Sequence, residues 1–230
     1  KRVLLDDVLT PGHPPGLFHC PGRALASFIR MEIVVRPTPQ EVGVSAADLI
    51  EPFVRDGATL GLATGSTPNP TYVELARRHR EEGLSFADCD AFLLDEYAGL
   101  ERTDEQSYYA TIRREFTNHI NIDDAKVQSL DGFSADPEAE ARSYEERIKA
   151  AGGVDVQILG IGSDGHIGFN EPGGALDSRT HLGELHEQTR RDNARFFGGD
   201  VEAVPTQCIT QGLATIMEAR KLVLIATGEG

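Results

Sequence analysis

The run Val154-Asp-Val-Gln-Ile-Leu-Gly-Ile-Gly162 constrains this chain more than any other segment. It is apolar, rich in β-branched residues and ends in glycines, as a buried strand does when it opens into a loop at the carboxyl edge of a sheet. Open α/β sheets bind their ligands at that edge. In the overlapping stretch Gly160-Ile-Gly-Ser-Asp-Gly-His-Ile-Gly-Phe-Asn-Glu-Pro172, three ionisable side chains follow within eight residues: Asp164, His166 and Glu171. Imidazole is the side chain whose ordinary pKa lies nearest neutrality, and nearby carboxylates fix its tautomer, so the cluster suits general acid and base work. Taken singly, each residue would serve as well in a capped turn.

The rest of the chain alternates strand and helix patterns. Met31 opens the strand-like Ile33-Val34-Val35, and Leu49, Ile50, Phe53 and Val54 form a helical face that Pro52 should kink or end early. Ala58 to Ala63 reads as a strand, Asn69 to Glu82 as a helix and Asp90 to Leu94 as a strand. Tyr109, Ile112, Phe116 and Ile120 share one helical face, as do Ala141, Tyr144, Ile148 and Ala151. Ile209, Leu213, Ile216 and Met217 mark a further helix, and Leu222 to Ala226 a last strand. This order predicts an α/β fold with a doubly wound, mostly parallel sheet and helices on both faces, Rossmann-like in kind. Residues 1–30 stand apart, because Pro11, Gly12, Pro14, Pro15, Gly16, Pro21 and Gly22 crowd a segment without sustained periodicity. They are expected to be a flexible or artefactual N-terminal extension ahead of one domain spanning 31–230.

Composition excludes several function classes. The net charge is 22 − 37 = −15, which argues against nucleic acid or an anionic membrane as a partner, so any anionic ligand needs a local positive site. Cys20, Cys89 and Cys208 are odd in number and lack metal-type spacing, which predicts reduced buried thiols and a cytoplasmic protein. There is no apolar run of about eighteen residues to cross a membrane and no charged-then-apolar leader. Neither His nor Cys clusters as metal ligands do, so neither a metal nor an organic cofactor is expected.

Two further motifs lie between strand and helix patterns. In Thr64-Gly-Ser-Thr-Pro68, unpaired backbone N–H groups and the positive end of a helix dipole can hold a phosphate, with Gly65 allowing close approach and Ser66 and Thr67 adding hydroxyl donors. The loop lacks the Lys-Ser/Thr ending of a nucleotide-hydrolysing loop, and an ordinary capped helix start remains the plainer reading. In Phe92-Leu-Leu-Asp-Glu-Tyr-Ala-Gly99, Asp95 follows an apolar strand at the ligand-binding edge, whereas Glu96 points the opposite way and suits a structural role.

The three motifs, in this order and separation, resemble those of the glucosamine-6-phosphate deaminases, and the similarity runs from about Met31 to Gly230. The fold-related 6-phosphogluconolactonases are similar in the Asp-Gly-His core but usually continue without Phe-Asn-Glu-Pro, here at 169–172. The resemblance implies conversion of glucosamine 6-phosphate and water to fructose 6-phosphate and ammonia, in the breakdown of N-acetylglucosamine. It implies that His166 assists ring opening, oriented by Asp164 and Glu171, that Asp95 moves the carbon 2 proton, and that Thr64, Gly65, Ser66 and Thr67 hold the phosphate. Arg190 is matched to the family's phosphate-clamping arginine. From its own surroundings, beside Arg191 and Arg195, it is as readily a surface arginine.

Two departures stand out. The family's phosphate-binding lysine after the last strand has no counterpart before Gly230, so the domain is expected to be shortened at its C-terminal end. The serine, arginine and lysine that bind an activator in some members match Gly174, His181 and Gly183 here, so that activation is not expected, while a homo-oligomer stays open. A lactonase-like hydrolase and a non-catalytic sugar-phosphate-binding regulatory domain are the competing functions, the latter disfavoured by the absence of a recognisable DNA-binding helix pair.

Overall fold

The computed structural model describes residues 2–7 and 31–228. Strand β1 (Arg2–Asp7) precedes β2 (Met31–Arg36), α1 (Pro39–Arg55), β3 (Thr59–Leu62) and α2 (Asn69–Glu82). Strands β4 (Asp90–Leu93) and β5 (Asp95–Tyr97) lead to α3 (Tyr108–Glu115), β6 (Val127–Gln128) and α4 (Pro137–Ala150). Next come β7 (Val156–Leu159), β8 (His181–Glu184), α5 (Glu187–Asn193), β9 (Gln207–Thr210), α6 (Leu213–Met217) and β10 (Lys221–Ala226). Seven strands form one sheet in the order β2-β1-β10-β7-β3-β4-β6. From β10 to β6 every pairing is parallel, as the helix and strand alternation predicts, and only β1 pairs antiparallel with its neighbours.

Strand alternation decides what each face buries. Leu60, Leu62, Ala91, Leu93, Val156, Ile158, Val223 and Ile225 pack with Ile50, Tyr72 and Ile112 from α1, α2 and α3. On the other face, Phe92 meets Ala141 and Tyr144 of α4, while Leu159 and Leu94 pack on Ile216 of α6. Burial of such side chains contributes roughly 25 cal/mol per Å² of apolar surface, and this two-sided core is what holds the loops at the strand ends in place.

Four local expectations are corrected. Part of the segment read as an extension, Arg2–Asp7, is a strand between β2 and β10, consistent with the apolar Val3-Leu4-Leu5 run, while 8–30 and Cys20 lie outside the described residues. Pro52 does not end α1, which continues to Arg55, because proline in a last turn removes a single helical bond. Ile120 lies beyond α3, whose last helical residue is Glu115. Ile209 belongs to β9 and not to the helix marked by Leu213 and Ile216, since Gly212 breaks the helical pattern between them.

The strand containing Ile209 belongs to a second sheet. β5, β9 and β8 pair antiparallel, with Asp95 opposite Thr210 and His181 opposite the same residue from the other side. β4 ends at Leu93 and β5 begins at Asp95, so the chain leaves the parallel sheet for the small one across Leu94. The Leu94 N–H still bonds to Leu62 O, and its O accepts from Gln211 N, which pins the crossing point between the two sheets. Among the described residues no helix is long and apolar enough to cross a membrane, and Cys89 and Cys208 are buried free thiols.

Candidate active site

A cavity of about 430 Å³ opens over the carboxyl ends of β3, β4 and β7, where an open parallel sheet is expected to bind its ligand. The three sequence motifs converge there. Thr64, Gly65, Ser66, Thr67, Asp95 and His166 all line it.

The loop after β7 is held by backbone constraints. Gly162 N donates to His166 O at 2.9 Å, closing a turn over which the imidazole folds, and any Cβ at 162 would collide with that ring. Gly168 has φ +59°, and a Cβ there would lie 3.5 Å from Asp95 Oδ2, so the glycine lets the loop press against the carboxyl. Phe169 N donates to Thr210 Oγ1, and Asn170 Nδ2 donates to Ile167 O and Gln211 O, tying the loop to β9. Asp95 and the loop thus meet through Thr210, a residue distant from both in sequence.

His166 Nδ1 lies 2.7 Å from Asp164 Oδ1. Burial pushes the Asp164 carboxyl up, but the His166 N–H and imidazole outweigh it and hold the group below the usual carboxylate range. Glu171 does not bond to His166. Its Oε1 accepts from Thr189 Oγ1 at 2.8 Å and from His186 N at 3.2 Å, and its buried Oε2 faces His186 Nδ1 at 3.5 Å. One ligand-type atom from each of Asp164, His166 and Glu171 lies within 4.8 Å of the others, and this is the set among the described residues that could hold a metal ion. Asp95 differs from all of them. It is 5% exposed, and burial first, then the neighbouring Glu96 charge, push its carboxyl up to about 8.

The expected phosphate cradle, Thr64 to Thr67, borders the cavity. α2 has Pro68 as its N-cap with no side-chain cap bond, so the hydroxyls of Ser66 and Thr67 are not used for capping. Arg190, in contrast, is turned away from the cavity. Its Nη2 donates to Val201 O at 2.9 Å and its Nε to Val204 O at 3.4 Å, with Glu202 at 3.7 Å, so it clamps the following loop onto α5. The arginines that do line the cavity are Arg114 and Arg195. Arg195 belongs to the single 3₁₀ turn Ala194–Phe196 that follows α5, and it lines the cavity. Its one contact is a stack over the Phe196 ring, and among the described residues it has no carboxylate partner.

Sequence reasoning also missed the aromatic wall. Tyr108 stacks on Phe169 with ring centroids 5.7 Å apart, and its hydroxyl lies 3.3 Å from that of the buried Tyr97. Asn69 Oδ1 and Glu115 Oε2 border the same cavity as buried acceptors without a hydrogen-bond partner. Together the site offers an electropositive, hydroxyl-lined end, free acceptors along the wall and a strong buried base opposite an imidazole.

Comparison with known proteins agrees with this arrangement. The family model described as glucosamine-6-phosphate isomerases/6-phosphogluconolactonase matches residues 39–230. A glucosamine-6-phosphate deaminase of Corynebacterium kroppenstedtii is 62% identical over 199 residues, covering 86% of this chain and 77% of the relative. That of Rhodococcus opacus is 60% identical over 201 residues, covering 87% and 77%. Among solved structures, a monomeric glucosamine-6-phosphate deaminase superposes with a TM-score of 0.77 at 42% identity, over 79% of this chain and 76% of its own. The 6-phosphogluconolactonase of Trypanosoma brucei, at 24% identity and a TM-score of 0.63 over 85% of this chain and 81% of its own, shares the fold.

Proposed function

This chain belongs to the family of glucosamine-6-phosphate isomerases and 6-phosphogluconolactonases, and within it we propose that the protein converts glucosamine 6-phosphate and water into fructose 6-phosphate and ammonia. One observation carries this reading. A carboxyl raised to about 8 by burial shares a cavity with an imidazole already paired to a carboxylate. An aldose to ketose shift needs both, because a carbon-bound proton must be removed by a strong base and the sugar ring must first be opened by an acid and base. The identity of 55–62% to several glucosamine-6-phosphate deaminases supports the same choice.

The residues then divide the work. His166, held in one tautomer by Asp164, takes the proton of the anomeric hydroxyl and delivers it to the ring oxygen, so that the ring opens to the aldehyde. Glu171 bonds to α5 and fixes the far side of the loop. Asp95 removes the carbon 2 proton from the open chain, and a proton returns at carbon 1. Carbon 2 is left as an iminium, to which water adds, and the carbon–nitrogen bond breaks with release of ammonia. The substrate ammonium helps at the outset, because a positive charge beside Asp95 favours its ionised form. The phosphate is received by Thr64, Gly65, Ser66 and Thr67 at the N-terminal end of α2, with Arg195 as the counter-charge. Asn69 and Glu115 are placed to accept from sugar hydroxyls. The chemistry requires no redox step, and the residues assigned here carry it by proton transfer and positioning.

The test is a coupled assay that follows ammonia and fructose 6-phosphate together from glucosamine 6-phosphate, beside hydrolysis of 6-phosphogluconolactone by the same sample. The reading expects equimolar ammonia and fructose 6-phosphate. Lactone hydrolysis without ammonia release would overturn it.

A further inference from the structure

Beside the base lies a second carboxylate that the scheme above leaves idle. Glu96 follows Asp95 in β5, and since successive side chains of a strand face opposite ways, it is turned from the cavity into the protein. It is 2% exposed. A buried carboxylate normally needs a cation or several hydrogen bonds to stay ionised. Glu96 takes the second course: Oε1 accepts from Tyr97 N and Tyr108 N, each at 2.9 Å, and Oε2 accepts from Tyr109 N at 3.1 Å. Tyr108 and Tyr109 open α3, so the carboxylate sits on the positive end of that helix and satisfies N–H groups that have no partner within it.

We propose that Glu96 is a positioning residue for the isomerisation, a buried carboxylate whose negative charge makes Asp95 draw the carbon 2 proton more strongly and whose hydrogen bonds dock the first turn of α3 against the cavity. It rests on the reading of Asp95 as the base. The docking half follows from connectivity: the helix turn that Glu96 grips carries Tyr108, whose ring stacks on Phe169, and both rings line the cavity with Asp95. The charge half follows from what surrounds the base. The titratable groups facing Asp95 are Glu96 in its own sheet, Tyr97, Tyr108 of α3, Tyr144 of α4 and Cys208 of β9, and burial pushes the tyrosines and the thiol up so that they stay neutral. Across the cavity stand His166, Arg114, Glu115, Asp192 and Arg195. On the far side of Glu96, Asp104 adds further negative charge. Burial pushes Glu96 up, with the three N–H groups restraining it, while Asp95 is raised by burial first and by the Glu96 charge second.

Glu96→Gln removes the charge while keeping two of the three contacts, because the amide oxygen still accepts from Tyr97 N and Tyr108 N and only the bond from Tyr109 N is lost. The rate of ammonia release per unit substrate, kcat/KM, is measured from pH 5.5 to 9.5. In the parent it should rise through about 8, the pH at which Asp95 becomes ionised. In E96Q that acid limb should move about one unit or more to lower pH, as removal of a neighbouring like charge requires, while kcat on the plateau falls about tenfold. A limb that stays at the parental pH, with kcat lowered or not, overturns the proposal. If E96Q does not fold, the carboxyl carbons of the parent can be titrated by NMR instead. Asp95 and Glu96 should then show coupled, two-step curves, and a single independent step for Asp95 would overturn the idea as firmly. D95N is the control for the underlying reading: turnover near the parental value in D95N removes Asp95 as base, whereas an inactive D95N with an unmoved limb in E96Q removes Glu96 alone.

Discussion

Two clusters of carboxylates in this fold are treated in opposite ways. Between α1 and α2, Arg78 is 7% exposed and donates to Glu74 at 2.8 Å, Glu51 at 2.7 Å and Asp48 at 2.6 Å. Arg77 first, with Arg78, holds Glu74 down at about 2, and Arg78 and Arg55 hold Glu51 below the usual range. At the junction of the two sheets, Asp95 and Glu96 have no such guanidinium, and burial lifts them to about 8 and about 7. The same residue type is thus a strut where cations surround it and a proton acceptor where they are withheld.

The two regions also respond to pH with opposite sign. Glu74 stabilises the folded chain above its ordinary value of 4.5, and this contribution is lost as pH falls towards about 2. Asp95 binds a proton more tightly folded than unfolded, so its contribution is most favourable below its ordinary 3.8 and declines as pH rises towards about 8. The protein therefore carries a cost at its base at the pH where that base works, and the α1–α2 network lies on the other side of the balance.

Removing the base is expected to have the largest effect. Asp95→Asn should lower kcat by about 100-fold or more, the usual range for a lost general base, and it should raise the melting temperature at pH 8.5 while leaving it little changed at pH 4. Steady-state kinetics and thermal melts at the two pH values check both halves, and a melting temperature lowered at pH 8.5 would erase the contrast drawn here. Next comes Arg78→Met, which should destabilise the fold by roughly 3 kcal/mol at pH 7 because Glu51 and Glu74 are left without their shared cation. Urea unfolding followed by circular dichroism should show that loss shrinking at pH 3, with turnover of the folded fraction unchanged.

Smaller effects test the pocket's own arginines. Arg195→Ala should raise the KM for glucosamine 6-phosphate about 10- to 100-fold and leave stability near the parental value, since a charge-assisted hydrogen bond contributes about 1.5 to 3 kcal/mol. Arg190→Ala should do the reverse, with KM within about twofold and a modest drop in melting temperature from the freed Val201 and Val204 carbonyls. Should the KM effects of the two variants be exchanged, Arg190 must swing into the cavity in solution and the description of Arg195 as the counter-charge fails.

The site was legible where chemistry follows local spacing. Asp164 and His166 stand two residues apart on a glycine-bounded turn, and their 2.7 Å contact is what such a turn allows. The Thr64 to Thr67 loop lies between β3 and α2 because the apolar strand and the Asn69 to Glu82 helix pattern leave it nowhere else to go. Arg190 and Arg195 could not be separated that way. Arg190 lies within α5 and Arg195 just after it in similarly charged company, and only the packing of Arg190 on the Val201 and Val204 carbonyls leaves Arg195 as the one that lines the cavity. Ile209 failed for a related reason, because a spacing of 209, 213, 216 fits a helix face while the partners that make it a strand, Glu96 and Leu182, lie far away in sequence.

By itself the sequence determined the parallel order of the main sheet, the edge at which ligands bind and the residue types gathered there. Hydrophobic period and glycine position are local properties, and helix or strand formation responds to them within a few residues. Only the tertiary structure decided the protonation chemistry. Asp95 is raised because Leu94 carries it from one sheet into another, where Thr210, Tyr97 and Tyr108 close around it and no cation enters. Glu74 is lowered because α1 and α2 bring two arginines and three acids to one seam. Desolvation and Coulomb interactions act through space, so the sequence names the carboxylates while the fold sets what each of them does with a proton.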